Sequence, residues 1–212
     1  MIAKIAGLYA ITPDEPRTEL LLTKVGQALR GGARVMQYRN KAASPELRLE
    51  QARALAPLCR KAGAVFVIND DLELALTLDV DGLHLGAEDG DLAAARKRLG
   101  PGKLLGASCY DRIDLAEAAV AAGADYLAFG SVFSSATKPA AVRAPLSIFA
   151  EAHRRFRLPL VAIGGITLQN APQVYAAGAD ALAVISALFD SADIAASAAG
   201  FTRLYQQQRM QQ

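Results

Sequence analysis

Ala122-Gly123-Ala124-Asp125-Tyr126-Leu127 recurs further along the chain as Ala177-Gly178-Ala179-Asp180-Ala181-Leu182. Each hexapeptide reads as the end of a helix, a glycine turn and the start of an apolar strand. This is a common way to leave a helix for a strand, so the echo bears on architecture and not on function. Outward from it, short apolar runs alternate with longer amphipathic ones from end to end. The strand candidates are Leu8–Thr12, Val35–Arg39, Val65–Asn69, Gly82–Leu85, Leu104–Ser108, Tyr126–Phe129, Leu160–Ile163 and Ala181–Ile185. The helical stretches are Glu19–Arg30, Pro45–Lys61, a short Asp71–Thr77, Leu92–Leu99, Leu115–Ala122, Leu146–Phe156, Asn170–Ala177 and Asp193–Arg209. Eight strands, each followed by a helix, predict an α/β fold: a single-domain (β/α)8 TIM barrel over 1–212. Gly31-Gly32, Gly63, Gly123 and Gly178 end helices where that pattern needs them. A doubly wound open sheet is the competing architecture. It is disfavoured because no glycine-rich dinucleotide loop follows the first strand. No linker or second domain is visible, and the polar tail 206–212 reads as frayed.

The composition narrows the function. Residues of the hydrophobic classes make up 52% of the chain, enough for a large aliphatic core, and the net charge of +2 is dispersed. Nucleic-acid binding would need a clustered basic face, so it is not expected. Cys59 and Cys109 are far apart and sit in no metal-ligand spacing, as for two reduced thiols of a cytoplasmic protein. No apolar run approaches a membrane span and the N-terminal stretch lacks a signal-peptide pattern, so no membrane partner is expected. The amphipathic barrel exterior permits a homodimer.

In such a barrel the chemistry lies at the C-terminal ends of the strands. Polar residues gather there at nearly every strand after the first. Gln37, Arg39 and Lys41 close the second strand and, by alternation, share one face. Two cations there are costly to bury unpartnered, which points to a phosphate or diphosphate; the plain alternative is a solvated strand exit. The third strand ends in Asn69-Asp70-Asp71 and the fourth in His84-Leu85-Gly86-Ala87-Glu88-Asp89, with Asp91 beyond. One aspartate at each junction is expected to cap a helix. Asp70 and Asp89, on adjacent strand tops, would suit Mg²⁺, a hard cation that takes few protein ligands. His84 fits a packed, hydrogen-bonded core residue better than a catalytic base. Ser108 ends the fifth strand, where a hydroxyl can hydrogen-bond a heteroaromatic ring. No Gly-x-Ser-x-Gly elbow marks it as a nucleophile. After the sixth strand, Ser131 to Pro139 holds several hydroxyls and Lys138, all phosphate ligands by type. Gly164-Gly165 and Ile185-Ser186 follow the seventh and eighth strands, where backbone N–H groups recurrently cradle phosphate. Two phosphate-bearing substrates are implied, one of them a diphosphate on Mg²⁺. That points to transfer of an organic group with loss of pyrophosphate.

Gln37-Tyr38-Arg39-Asn40-Lys41, Asn69-Asp70, His84 to Asp89, Ser135-Ala136-Thr137-Lys138 and Ile163-Gly164-Gly165-Ile166 resemble, in order and spacing, the thiamine-phosphate synthase family. The likeness covers almost the whole chain. Each motif alone is weak, but five in order on eight strands are specific. The resemblance implies the joining of 4-amino-2-methyl-5-hydroxymethylpyrimidine diphosphate to 4-methyl-5-(2-phosphooxyethyl)thiazole, with Mg²⁺ as cofactor. It implies Asp70 and Asp89 as metal ligands and Arg39, Lys41, Asn69 and Lys138 as diphosphate binders. It further implies Gln37 and Ser108 at the pyrimidine, and Ser135, Thr137, Gly165, Ile185 and Ser186 at the thiazole phosphate. Arg39, Lys41, Lys138 and Ser108 would carry catalysis. The implied mechanism is dissociative and needs no protein nucleophile. The chain departs from the family at Ala87, where many members carry Gln, and at Ser135, which replaces a common Thr. Pro139 stands where some members continue with charged residues. Tyr110 replaces the His of several members and of a related thiazole tautomerase, which counts against a tautomerase. A non-catalytic thiamine-phosphate binder would gain little from the intact metal and cation set.

Overall fold

The computed structural model describes residues 5–86, 89–134 and 142–210. Its strands are β1 (Gly7–Ile11), β2 (Val35–Tyr38), β3 (Val65–Asn69), β4 (Gly82–Leu85), β5 (Leu104–Tyr110), β6 (Tyr126–Gly130), β7 (Leu160–Ile163) and β8 (Ala181–Val184). They pair in parallel with their sequence neighbours, and β8 returns to β1, closing the barrel. Helices α1 (Thr18–Arg30), α2 (Pro45–Ala62), α3 (Leu72–Thr77), α4 (Leu92–Leu99), α5 (Ile113–Ala121), α6 (Ser147–Arg155) and α7 (Ala171–Ala176) connect successive strands. The expected eight-strand barrel is the observed fold. Two differences lie at its end. A short helix, α8 (Ser186–Phe189), follows β8 before the long α9 (Ile194–Met210). The long α9 itself begins and ends one residue later than the expected Asp193–Arg209, at Ile194 and Met210.

Alternation along each strand divides the core in two. Outward residues such as Leu8, Met36, Ile68, Leu105, Phe129 and Leu182 pack under the helices. Inward residues, among them Tyr9, Ile11, Val35, Val67, Tyr126, Val161 and Ala183, fill the barrel. The interior holds two tyrosines because small residues face them. A Cβ on Gly106 would overlap the ring of Tyr126.

The echoed hexapeptides have a structural cause. Asp125 accepts the N–H of Leu105 at 2.8 Å, and Asp180 that of Leu160 at 2.8 Å. Asp81 does the same for Phe66 at 2.8 Å. In each case an aspartate at a strand entrance satisfies a donor on the preceding strand, which would otherwise be left open at the bottom of the barrel.

Candidate active site at the barrel mouth

The β2 exit is held by its neighbours. Thr12, fully buried after β1, accepts the N–H of Arg39 at 2.9 Å and donates its hydroxyl to the Arg39 carbonyl at 2.8 Å. This keeps the chain extended past Tyr38. Tyr38 and Asn40 point outward and both donate to Gln51 Oε1 on α2, at 2.8 and 3.1 Å. Gln37, Arg39 and Lys41 therefore face the mouth together, as alternation predicts. Gln37 lies deepest, at 2% exposure.

The two cations are not unpartnered, which corrects the sequence argument for a phosphate. Arg39 Nη1 lies 3.4 Å from Asp14 Oδ1, and the same carboxylate accepts the Lys41 N–H at 2.8 Å. Lys41 Nζ is 3.1 Å from Asp70 Oδ2 and 4.0 Å from Asp89 Oδ1. Asp70 and Asp89 thus flank the same Lys41 ammonium. Asp14, in the loop after β1, was not among the site residues expected from sequence.

At the β3 and β4 exits one aspartate caps the following helix and another does not. Asp71 caps α3 by accepting the Leu74 N–H at 2.9 Å. Asp91 caps α4 by accepting those of Ala93 and Ala94 at 2.8 and 3.2 Å. This leaves Asp70 and Asp89 for the mouth. Asp70 adopts φ 62°, a left-handed conformation that Asp tolerates better than most residues, and accepts from Asn69 Nδ2 at 2.6 Å. Asn69 therefore orients a carboxylate in this structure. The Asp89 carboxylate lies over Gly86 where a Cβ would stand.

Below this charged rim the interior is polar but neutral. Gln37 Nε2 donates to Tyr9 Oη at 3.1 Å, and the Tyr9 and Tyr126 hydroxyls lie 2.8 Å apart. His84 Nδ1 is 3.1 Å from Tyr126 Oη, and His84 Nε2 is 2.9 Å from Ser108 Oγ. Burial pulls the His84 pKa down to about 4, so the ring is neutral near pH 7. His84 is thus the packed, hydrogen-bonded core residue that the sequence favoured. Tyr9 and Tyr126 escaped the sequence reading because a Tyr inside an apolar strand looks like core. The usable signal is their inward register with Gln37, His84 and Ser108.

On the opposite arc, Gly165 follows β7 with φ 62°, and a Cβ there would meet Phe133 Cβ at 2.8 Å and crowd the Ser134 carbonyl. Only glycine lets the β6 and β7 exits press together. Asn170 Nδ2 donates to the Gly165 carbonyl at 2.9 Å, fixing the turn. Ile185 precedes α8, and Ser186 is its exposed first residue. The first-turn N–H groups of a helix have no intrahelical acceptor. Ser135, Thr137, Lys138 and Pro139, like Ala87, lie outside the described residues.

The family model described as thiamine monophosphate synthase matches residues 8–188. A thiamine-phosphate synthase of Aromatoleum aromaticum is 57% identical over 202 residues, covering 95% of this chain and 97% of its own. One of Methylobacillus flagellatus is 55% identical, covering 95% and 96%. Among solved structures, a thiamine phosphate pyrophosphorylase from Pyrococcus furiosus superposes with a TM-score of 0.86 at 34% identity, covering 96% of each chain. A 3-hexulose-6-phosphate synthase from Salmonella typhimurium, at 19% identity and TM-score 0.73, shares the fold.

Proposed function

The chain belongs to the thiamine monophosphate synthase family, and we propose that it catalyses that family's condensation at the mouth just described. The aminopyrimidine diphosphate and the thiazole phosphate would enter from the open end of the barrel. Thiamine phosphate and pyrophosphate would leave. The observation that carries this reading is the rim cluster in which Lys41 lies between Asp70 and Asp89, Asn69 donates to Asp70, and Asp14 holds Arg39 and the Lys41 N–H.

The residues present fit Mg²⁺. Two carboxylates already hold an ammonium between them, and oxygen donors in small number suit this ion. Asp70 and Asp89 would hold it, and when bound it neutralises charge on the diphosphate leaving group. Arg39 and Asn69 would bind diphosphate oxygens. Lys41, released from the two carboxylates, would join them. Gln37 and Ser108 would orient the pyrimidine. The bond from the methylene carbon to the diphosphate oxygen breaks, its electron pair leaving with pyrophosphate. The thiazole nitrogen then supplies the pair for the new carbon–nitrogen bond. No protein nucleophile is needed, and the interior offers neutral hydroxyls and amides instead. Gly165, Ile185 and Ser186, with Ser135 and Thr137, would receive the thiazole phosphate, and Lys138 would complete the diphosphate site.

We place the enzyme in the cytoplasm with small molecules as its partners; among the described residues no helix is long and apolar enough to cross a membrane. The test is direct. Purified protein mixed with both substrates and Mg²⁺ should release pyrophosphate, and EDTA should stop it. Absence of release would overturn the reading.

A further inference from the structure

Gln37, Tyr9, Tyr126, His84 and Ser108 form one unbroken hydrogen-bonded chain across the barrel interior, with links of 3.1, 2.8, 3.1 and 2.9 Å. Its two ends are residues of the mouth. Its three middle members lie below the rim, and the His84 carbonyl also accepts the Asp70 N–H at 2.9 Å. Tyr9 and Tyr126 are almost fully buried, His84 is 8% exposed, and the His84 ring stacks on Tyr126 with centroids 5.6 Å apart.

Such a chain has few proton arrangements. Each hydroxyl has one proton, the neutral imidazole has one N–H, and a buried donor left without an acceptor is costly. Two orders place one proton on every link. In the first, Gln37 donates to Tyr9, Tyr9 to Tyr126, Tyr126 to His84 Nδ1, and His84 Nε2–H to Ser108. Gln37 then keeps its carbonyl oxygen as a free acceptor, and Ser108 keeps its proton as a free donor. In the second, every link is reversed. Gln37 offers only N–H groups and Ser108 only lone pairs. Mixed orders strand a buried proton.

We infer that Tyr9, Tyr126 and His84 are positioning residues that couple the polarity of Gln37 to that of Ser108, so that one relay reads both ends of the pyrimidine edge. The inference rests on the proposed placement of the pyrimidine between Gln37 and Ser108. An aminopyrimidine presents an amino donor beside a ring-nitrogen acceptor. That edge selects the first order, with the amino group on the Gln37 carbonyl and the ring nitrogen on the Ser108 hydroxyl. The geometry suits this order, because each ring nitrogen of His84 faces one hydroxyl, at 3.1 and 2.9 Å, so that one can accept while the other donates.

The chain holds two histidines, His84 and His153, so ¹⁵N-histidine labelling reads the relay directly. His153 is exposed on α6, and its signal is assigned with His153→Gln. The complex is formed with Mg²⁺ and the pyrimidine diphosphate, without the thiazole phosphate. The expected spectrum shows His84 as a single neutral tautomer with its proton on Nε2. A proton on Nδ1, or on both nitrogens, overturns the inference. Tyr126→Phe should raise KM for the pyrimidine diphosphate about tenfold, while KM for the thiazole phosphate stays unchanged. An equal rise in both, or in neither, overturns it. If that variant does not fold, Tyr9→Phe cuts the relay one link nearer Gln37 and should give the same split. Wild-type protein that releases no pyrophosphate sinks the synthase reading and the relay with it. Wild-type protein that does release it, with the wrong tautomer, sinks the relay alone.

Discussion

Asp70→Asn separates the role of this side chain in the fold from its role in the reaction. The substituted amide keeps the shape, and Asn tolerates the φ of 62° seen at Asp70. Its amide oxygen can still accept from Asn69 Nδ2, now 2.6 Å from the carboxylate. What is lost is the ion pair to Lys41 at 3.1 Å, whose side chains are 22% and 53% exposed. A pair this exposed is screened, and contributes about 0–1 kcal/mol. For a chain of this length that is a fall in Tm of about 4 °C at most. The catalytic loss should be much larger. Removing one preorganised electrostatic partner from a reacting centre costs about 10²–10³-fold in rate. The assay is steady-state pyrophosphate release across a Mg²⁺ titration, with thermal unfolding measured on the same preparation. The variant should unfold nearly as the wild type does, turn over at least a hundredfold more slowly, and need more Mg²⁺ for half its activity. A rate within threefold of wild type would refute the metal assignment. A large fall in Tm accompanying the loss would make Asp70 a structural residue.

Three further outcomes follow from the packing and the buried groups. Gly106→Ala drives a methyl into the Tyr126 ring, and should cost about 1–3 kcal/mol while raising KM for the pyrimidine diphosphate; unfolding curves and kinetics check both. Cys59 and Cys109 are fully buried, and burial pushes both thiols up to about 12, so a thiol reagent at pH 8 should label neither until the protein is unfolded. His84 has a depressed pKa in the fold, about 4 against an ordinary 6.5, so between those values the unfolded chain binds more protons. Its contribution to stability should be flat above about pH 6.5, fall progressively toward pH 4 by roughly 3 kcal/mol in all, and be absent from the pH profile of His84→Gln.

The barrel was legible because its strands are buried on both faces and read as apolar runs bounded by turns. The short α8 was not legible. Four residues carry no period, and Ile185 read as the end of a strand rather than the residue before a helix. At Asn69-Asp70-Asp71 and at Asp89 to Asp91 the sequence could say that one aspartate caps and one is free. The choice needed the backbone: Asp71 and Asp91 stand at the helix starts, and Asp70 and Asp89 do not. The interior relay was half legible. Gln37, His84 and Ser108 are conspicuous, but Tyr9 and Tyr126 join them only through the register of strands distant in sequence.

Asp14 changes the electrostatic account more than any other residue that the sequence reading missed. Among the described residues of the rim, Arg39 and Lys41 face Asp14, Asp70 and Asp89. Two positive charges against three negative leave these five residues one charge short of neutral, so by themselves they do not attract an anion. On the proposed reading this explains why both a cation and a diphosphate are needed. A bare diphosphate would meet three carboxylates and two cations already engaged by them. On the proposed reading, a diphosphate arriving with Mg²⁺ would bring two positive charges to Asp70 and Asp89, which could then give up Lys41. The freed ammonium and the Arg39 guanidinium would then face the substrate rather than the protein. On that reading the carboxylates that pair both cations in the free enzyme would make the site selective for the metal-bound form. The same exchange would confine strong anion binding to the moment when the leaving group is in place.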